Sequence, residues 1–338
     1  MASSTEFQKK NSIVTGGAGF IGSHLCEALL QEGRVICIDN LSNASTDNIE
    51  PMLSNPDFVF IKHDVCEPLD LETLPELERF RISVQGVQEI FHLACPMSVQ
   101  NFNLNRLAIL DSNSSAVKTT LNWAVKYKAR YVFASSACVY GPRVSDAPIK
   151  ESTLGVLDHM AMRAAYDEGK RFAETMISTY ADIMGVDARI ARIFRTYGPR
   201  LKMHDAQMIT EFVVSALDNA PMVIYGAESM KTTLLYVTDA VSALMKLAKV
   251  QSGVGPMNIG SEQEYTFAEI AEKVREIVKS ESVVAHDQPL EFLSEHVIPD
   301  ITYAKQVLGW MPMVRLENGL DHMVDYVSAN RNKLTFSL

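Results

Sequence analysis

A glycine-rich turn near the start of the chain constrains the fold more than any other feature. Residues 15–22 read T-G-G-A-G-F-I-G and follow the short apolar run 12–14. Glycines at this spacing let the chain turn tightly at Gly16, let a phosphate approach the backbone at Gly19, and let a helix pack against the strand at Gly22. The residues that begin that helix are Phe20 and Ile21. The pattern predicts a strand–turn–helix unit that holds the pyrophosphate of a dinucleotide.

A carboxylate at the end of the next predicted strand indicates which dinucleotide is bound. The apolar run 34–38 is followed by Asp39 and Asn40. An acid about 20 residues beyond the glycines accepts the hydroxyls of the adenosine ribose. The same carboxylate would repel a 2′-phosphate, so the sequence predicts NAD rather than NADP.

Apolar runs alternate with helical patterns, which predicts βαβ units and a parallel sheet. The expected fold is α/β, a Rossmann-like doubly wound parallel sheet with a smaller, discontinuous C-terminal substrate lobe. Residues 1–193 are mainly the NAD-binding domain and residues 194–338 mainly the lobe, with the chain crossing back to the sheet at about 228–262. Strands are predicted at 12–14, 35–38, 58–61, 89–93, 131–134 and 186–193, and helices at 20–31, 106–128, 166–184, 207–219, 237–249 and 267–279.

Composition argues against several classes of function. The net charge of −10 and the pI near 5.3 leave no basic surface for a nucleic acid. No apolar run reaches the roughly 18 residues of a membrane span, and we expect no signal peptide and no membrane partner. The five cysteines lack metal-ligand spacing and the eight histidines are scattered, so we expect reduced thiols, a cytoplasmic location and no metal.

A serine, a tyrosine and a lysine form the candidate catalytic group. Tyr166 and Lys170 lie four residues apart on one face of a predicted helix. A lysine ammonium stabilises a tyrosinate, so the pKa of the phenol is expected to fall toward neutrality and the phenol to exchange a proton with a sugar hydroxyl. Ser136 ends a strand at the carboxyl edge of the sheet, where ligands of such folds bind. We expect Ser136 to orient the substrate hydroxyl and Lys170 also to hold the nicotinamide ribose.

With these motifs in order, the chain resembles the extended short-chain dehydrogenases/reductases of the nucleotide-sugar epimerase/dehydratase family over residues 12–330. The segments most similar to UDP-glucuronate decarboxylases are H-L-A-C-P at 92–96, Y-D-E-G-K-R at 166–171, R-I-F-x-T-Y-G-P-R at 192–200, N-I-G at 258–260 and P-D-I-T at 299–302. The family implies a bound NAD that oxidises the sugar at C4 to a keto intermediate and then returns the hydride. It implies further cofactor contacts at Asp64, Val65, Leu93, Ala94, Asn113 and Ile193. It implies substrate contacts at Pro96, Ser136, Ala137 and Arg163, and Arg195, Arg200 and Lys231 are further candidates by their position.

The chain departs from this family in its substrate half. Decarboxylases have a glutamate where this chain has Cys138, and the family has an arginine where this chain has Thr232. A second family arginine has no counterpart in residues 295–298, and the family's asparagine after R-I-F is Arg195. Arg163, in contrast, matches a decarboxylase arginine that faces the substrate carboxylate. Cys138 is either a small buried side chain or an acid/base group, the latter only if its thiol pKa is lowered.

Two predicted helices, 106–128 and 166–184, carry broader apolar stripes than one sheet face needs. The resemblance implies that they pair with a second subunit as a four-helix bundle in a homodimer. Burial within the chain is the alternative.

Four functions follow, in order of preference. The first is 4-epimerisation of a nucleotide sugar (a UDP-sugar or uronic acid), because inversion needs only rotation of the keto sugar before the hydride returns. The second is decarboxylation of UDP-glucuronic acid or dehydration of an NDP-sugar, supported by the overall likeness and Arg163. The third is action on a nucleoside or another substrate without a diphosphate, because diphosphate-binding arginines are missing. The fourth is a non-catalytic NAD-binding protein, disfavoured because Tyr166 and Lys170 remain.

Overall fold

The computed structural model describes residues 9–205, 207–227, 230–288 and 297–334. The strands of the described chain are β1 (Lys10–Thr15), β2 (Gly33–Asp39), β3 (Phe58–Lys62), β4 (Glu89–His92), β5 (Arg130–Ser136), β6 (Ala188–Ile193), β7 (Thr196–Tyr197), β8 (Met222–Tyr225), β9 (Lys231–Thr233), β10 (Leu235–Tyr236), β11 (Met257–Ile259), β12 (Glu264–Thr266) and β13 (Val284–Asp287). The α-helices are α1 (Phe20–Leu29), α2 (Ile82–Gln85), α3 (Phe102–Ser112), α4 (Ser115–Tyr127), α5 (Ala164–Met184), α6 (Met208–Leu217), α7 (Val237–Leu247), α8 (Phe267–Val278), α9 (Thr302–Leu308) and α10 (Leu316–Leu334).

The central sheet has seven parallel strands in the order β11-β6-β5-β4-β1-β2-β3, which confirms the predicted doubly wound fold. The order reverses between β1 and β4. Connections on the two sides of such a reversal diverge and open a crevice at the carboxyl ends of the strands. The fold thus brings the residues that follow β1, β4, β5 and β6 to one edge of the sheet.

Both faces of the sheet are covered, which explains why its strands read as apolar runs rather than as alternating patterns. Helices α1, α7 and α9 cover one face, and residues 35–38 of β2 are fully buried. Helices α4 and α5 cover the other face with side chains such as Val117, Leu121 and Ile177. Two separate apolar layers therefore hold the helices that carry the candidate site.

The C-terminal half builds a second core and also returns to the sheet. Helices α6, α8 and α10 pack around Phe212, Ile270 and Leu320 beside the strand pair β8–β13. In contrast, β11 pairs with β6, and α7 packs against α1. The lobe is therefore discontinuous along the chain.

The helix predicted at 106–128 is wrong, because the structure has two helices there. Ser114 Oγ donates a hydrogen bond to the Leu110 carbonyl oxygen at 2.7 Å, and Asn113 Nδ2 donates one to the Ile109 carbonyl oxygen at 2.8 Å. Side chains that bond nearby carbonyls compete with the backbone and bend helices. The break between α3 and α4 places Asn113 at the edge of the site.

The longest described helices, α5 and α10, have 21 and 19 residues and carry charged side chains along their length. Within the described chain, no helix is both long enough and apolar enough to cross a bilayer.

Candidate active site

The turn between β1 and α1 has the geometry of an anion-binding loop. Gly16 adopts φ +69°, in the left-handed region that favours glycine. A Cβ on Gly22 would lie 2.1 Å from the Gly16 carbonyl oxygen, so the first turn of α1 packs directly on the loop. The helix begins at Phe20 after Gly19. Its first turn has no acidic residue, and no side chain caps it with a hydrogen bond. The first-turn N–H groups, including that of Ile21, can therefore bind a phosphate.

The carboxylate of Asp39 stands beside this loop. Its Oδ2 accepts a hydrogen bond from the Ala18 N–H at 3.1 Å, and its Oδ1 accepts one from the Leu41 N–H at 2.8 Å. Burial raises the pKa of Asp39, and these backbone hydrogen bonds oppose that rise. Asn40 donates to Asp64 Oδ2 at 2.9 Å. The next residue, Val65, is buried. Four predicted cofactor residues thus form one edge that an adenosine can contact.

The structure brings Ser136, Tyr166 and Lys170 together at the carboxyl edge of the sheet. Ser136 is the last residue of β5, and its hydroxyl lies close enough to the Tyr166 phenol to lower the pKa of that phenol. The Lys170 ammonium is almost fully buried and donates to the Ala134 carbonyl oxygen at 2.9 Å. It lies 5.8 Å from the Tyr166 ring centroid and 4.6 Å from that of Phe133. The predicted catalytic group therefore forms one contiguous cluster.

The expected direction of the Tyr166 pKa is wrong in this structure. Burial raises the pKa of the phenol well above its ordinary value, and the nearby Cys138 thiol raises it further. Ser136 and the charge of Arg163 act in the opposite direction, and the effect of burial outweighs both. The pKa of this phenol is therefore set by the packed fold and not by the spacing of Tyr166 and Lys170 alone.

Cys138 is buried two residues after Ser136. Its backbone N–H donates to Ser136 Oγ at 3.3 Å. Burial raises the pKa of its thiol, and the Asp167 carboxylate adds to that rise. The thiol is therefore neutral near pH 7, which favours the buried-side-chain interpretation over an acid/base role.

Arg163 lies one turn before Tyr166 and is paired within the chain. Its Nε lies 3.2 Å from Asp167 Oδ2, and its Nη2 lies 3.1 Å from Asp167 Oδ1. Such a two-point contact fixes the guanidinium plane and matches its charge. Arg163 is thus close to the reacting group, with an internal counterion.

Four other predicted substrate residues surround this edge at different depths. Pro96 follows β4 and is half-buried, and Ala137 is buried after the catalytic serine. Arg200 Nη2 lies 2.7 Å from Glu27 Oε2, so its charge is directed to α1. Lys231 is exposed on β9. The two cations among them, Arg200 and Lys231, therefore do not lie in one group.

Arg195 has a different environment from the other arginines. It follows β6, is half-buried, and has its guanidinium carbon 5.9 Å from the Phe267 ring centroid. Within the described ranges, no carboxylate forms an ion pair with it. Burial and the nearby charge of Arg163 lower its pKa to about 10. Residues 295 and 296 of the altered stretch lie outside the described chain.

Comparison with known proteins decides the family. A model of the NAD dependent epimerase/dehydratase family matches residues 12–260. The chain belongs to this family. UDP-glucuronic acid decarboxylase 1 of Arabidopsis thaliana is 37% identical over 313 residues, which are 92% of this chain and 68% of that protein. The Danio rerio decarboxylase 1 is 36% identical over 332 residues, 96% of this chain and 74% of that protein.

Solved structures give the same fold for this family member. UDP-glucose 4-epimerase of Thermotoga maritima, determined with UDP-glucose, has a TM-score of 0.82 and 26% identity, and the match covers 95% of this chain and 99% of that one. An epimerase of Methanothermobacter thermautotrophicus has a TM-score of 0.85 and 25% identity, with 98% and 97% covered.

The residues of this epimerase/dehydratase family member fit NAD, the cofactor of the family. The Asn113 Oδ1 is buried and has no hydrogen-bond donor within the described chain. A Cβ on Gly16 would lie 2.8 Å from the Ala94 nitrogen, so only a glycine leaves backbone room here. Leu93 and Ile193 flank the same edge after β4 and at the end of β6. A loop for a pyrophosphate and an unsatisfied amide oxygen thus face one crevice.

Glu174 is a positioning residue that the sequence interpretation missed. It accepts a hydrogen bond from Ser135 Oγ at 2.6 Å and forms an ion pair with Arg192 Nη2 at 2.7 Å. Arg192 Nη1 also donates to the Tyr140 hydroxyl at 2.9 Å. Glu174 is four residues after Lys170, so its place on the same face of α5 was visible in the sequence. The network ties α5 to β5, the strand that carries Ser136.

Proposed function

We propose that this protein is an NAD-dependent 4-epimerase of a nucleotide sugar. It oxidises the sugar hydroxyl to a keto group, the keto sugar rotates, and the hydride returns to the opposite face. NAD, when bound, accepts and returns that hydride. The observation that carries the proposal is the contact of Ser136, Tyr166 and Lys170 beside the glycine-rich loop.

Each of the three residues has one task in this proposal. Ser136 Oγ holds the reacting hydroxyl, and the Tyr166 phenolate takes its proton and later returns it. Lys170, fixed on the Ala134 carbonyl, supplies a positive charge that stabilises the phenolate when it forms. A positioned acid/base group contributes roughly 10²–10⁴-fold to rate.

The state of Cys138 supports epimerisation over decarboxylation. The position where related decarboxylases carry a glutamate holds a buried, neutral thiol with a raised pKa. Epimerisation requires no further proton transfer at C5, so it needs no group at this position. The solved 4-epimerase of Thermotoga maritima has the same fold with UDP-glucose bound.

Decarboxylation of a UDP-uronic acid is the second candidate. It is supported by the 37% identity with a UDP-glucuronic acid decarboxylase and by Arg163 next to Tyr166. A 4-keto acid with its carboxylate on the neighbouring carbon loses carbon dioxide readily, so the missing glutamate leaves this outcome open.

A homodimer through α3 and α5 is part of the proposal. Leu104, Leu107 and Leu110 of α3 are 84%, 77% and 44% exposed, and Phe172 of α5 is 51% exposed. An apolar stripe of this size on two neighbouring helices is typical of a subunit interface. The proposed dimer predicts that Leu107→Glu yields a smaller species in sedimentation velocity, whereas Val84→Glu, at another exposed apolar position, leaves the size unchanged.

Incubation with candidate substrates tests the reaction. The NAD-loaded protein is mixed with UDP-glucose, UDP-glucuronic acid and TDP-glucose and with nucleosides, and products are identified by mass and NMR. Epimerisation gives an unchanged mass and an inverted C4, decarboxylation loses the mass of carbon dioxide, and dehydration loses the mass of water. Conversion of nucleosides alone would replace the nucleotide-sugar assignment.

A further inference from the structure

Arg195 is a half-buried cation for which the described residues supply no anion. Its guanidinium carbon lies 5.9 Å from the centroid of the Phe267 ring. Within the described ranges the guanidinium forms no ion pair and donates no side-chain hydrogen bond. The neighbouring cation, Arg163, has Asp167 as its counterion. Burying an unpaired charge costs free energy, and a second positive charge nearby adds to that cost. A side chain held in this way is typical of a binding site rather than of a structural ion pair.

The position of Arg195 places this charge beside the reacting group. Ile193, two residues earlier, is directly opposite Ser136 in the β5–β6 pairing. Neighbouring strands lie about 4.8 Å apart, so the chain leaves β6 close to the catalytic serine. The charge of Arg163, which precedes the catalytic tyrosine, also acts on Arg195. A ligand bound at Arg195 is therefore within reach of the Ser–Tyr–Lys cluster.

The same neighbourhood contains the position of a missing arginine. The family resemblance places an arginine where this chain has Thr232, which is buried on β9. Thr232 is opposite Tyr265 in the β9–β12 pairing. Phe267 is two residues after Tyr265 and directly follows β12. Phe267 is the ring over which Arg195 lies. Compared with the family, this chain therefore lacks an arginine on β9 and has an additional arginine, Arg195, beside the β9–β12 pair.

We infer that Arg195 is a relocated oxyanion receptor, which takes over the substrate contact of the arginine absent at Thr232. The inference rests on the proposed nucleotide-sugar function and identifies the part of the substrate that this chain grips differently. The ligand group is an oxyanion, either the diphosphate of the nucleotide or a carboxylate on the sugar. Both bond a guanidinium fork at two points.

Calorimetry with matched ligands tests this inference on the NAD-loaded protein. The ligands are UDP, UDP-glucose and UDP-glucuronic acid, and the variants are Arg195→Asn and the double change Arg195→Asn with Thr232→Arg. Arg275→Asn, which removes an arginine that pairs with Glu272 on α8, is the control. NAD retention and melting temperature report whether each variant is folded.

The inference predicts that Arg195→Asn weakens binding about ten- to a hundredfold, with a smaller effect at high salt. Weaker binding of all three ligands assigns the diphosphate, and weaker binding of UDP-glucuronic acid alone assigns the carboxylate. The melting temperature should not fall, because no internal ion pair is lost. The folded double variant should recover most of the affinity, and the control should bind like the unmodified protein.

Failure of the inference and failure of the proposed function give different results. Unchanged affinity for all three ligands in folded Arg195→Asn overturns the inference and leaves the proposed function standing. A folded double variant that recovers no affinity overturns the relocation. If the unmodified protein binds neither these UDP ligands nor TDP-glucose, the proposed function fails, and pyrophosphate and glucuronate become the probes. Binding of either one that depends on Arg195 retains the oxyanion receptor, and binding that does not depend on it overturns the receptor.

Discussion

The ammonium group of Lys170 donates a hydrogen bond to the carbonyl oxygen of Ala134, 2.9 Å away. Ala134 is two residues before Ser136 on β5, so this bond connects the lysine to the strand that carries the serine. Tyr166 is one helical turn before Lys170 on α5. The geometry of the catalytic cluster is therefore set by packing of α5 on β5. Its chemistry can be tested without disturbing the fold.

Changing Tyr166 to Phe should remove catalysis and little else. The variant lacks the proton-transfer group but keeps the ring, so turnover should fall roughly 10²–10⁴-fold with NAD binding nearly intact. Tyr180→Phe is a matched control, because Tyr180 is on the same helix as Tyr166 and its hydroxyl donates to Asn122 Oδ1 of α4, away from the cluster. Turnover is measured with the substrate found in the screen. Ordinary turnover by Tyr166→Phe would refute its proposed role.

Cofactor preference should follow from Asp39. Its buried carboxylate already accepts hydrogen bonds from the Ala18 and Leu41 N–H groups. A 2′-phosphate brought against it meets an unpaired negative charge, which costs about 2–3 kcal/mol, or about a hundredfold in affinity. Calorimetry should therefore give much tighter binding of NAD than of NADP. Equal dissociation constants would contradict this account of the adenosine end.

Gly22→Ala should abolish cofactor binding by closing the loop. The added methyl would lie 2.1 Å from the Gly16 carbonyl oxygen, so the loop or the helix must shift. Overpacking of this kind costs about 1–3 kcal/mol of stability. Gly255→Ala is the control, because its Cβ would meet no atom within 4 Å. NAD content after purification and the melting temperature report the effect, and a Gly22→Ala protein with normal NAD content would count against the loop assignment.

Cys138 should behave as an unreactive side chain. Because burial raises its thiol pKa above the ordinary value, the thiol stays protonated at pH 8, and only the thiolate is alkylated rapidly. Iodoacetamide labelling followed by mass spectrometry should find Cys138 modified slowly. Cys138→Ala should retain turnover within several-fold. A loss as large as that expected for Tyr166→Phe would show instead that the thiol takes part in the reaction.

The sequence was sufficient for features that depend on neighbours along the chain. The glycine-rich turn, the buried strand that ends at Asp39, and the four-residue spacing of Tyr166 and Lys170 were all predicted. The doubly wound sheet follows from the alternation of apolar runs and helical patterns, and the structure has that sheet.

Features that depend on contacts distant in sequence could not be predicted. The Tyr166 pKa rises because burial around the phenol, which only the packed fold sets, outweighs the opposing effects of Ser136 and Arg163. Asp205 accepts a hydrogen bond from Ser98, which joins the lobe to the loop after β4 across more than a hundred residues. No carboxylate of the described ranges pairs with Arg195, and this too depends on the surroundings of its side chain, which the sequence does not give.

Isotope tracing tests the central claim, return of the same hydride, most directly. A nucleotide sugar with deuterium at C4 is incubated with the NAD-loaded protein in ordinary water without added cofactor. Internal return predicts a product that is inverted at C4 and retains the deuterium there, as read by NMR and mass. A C4-inverted product that has lost its deuterium would contradict the account.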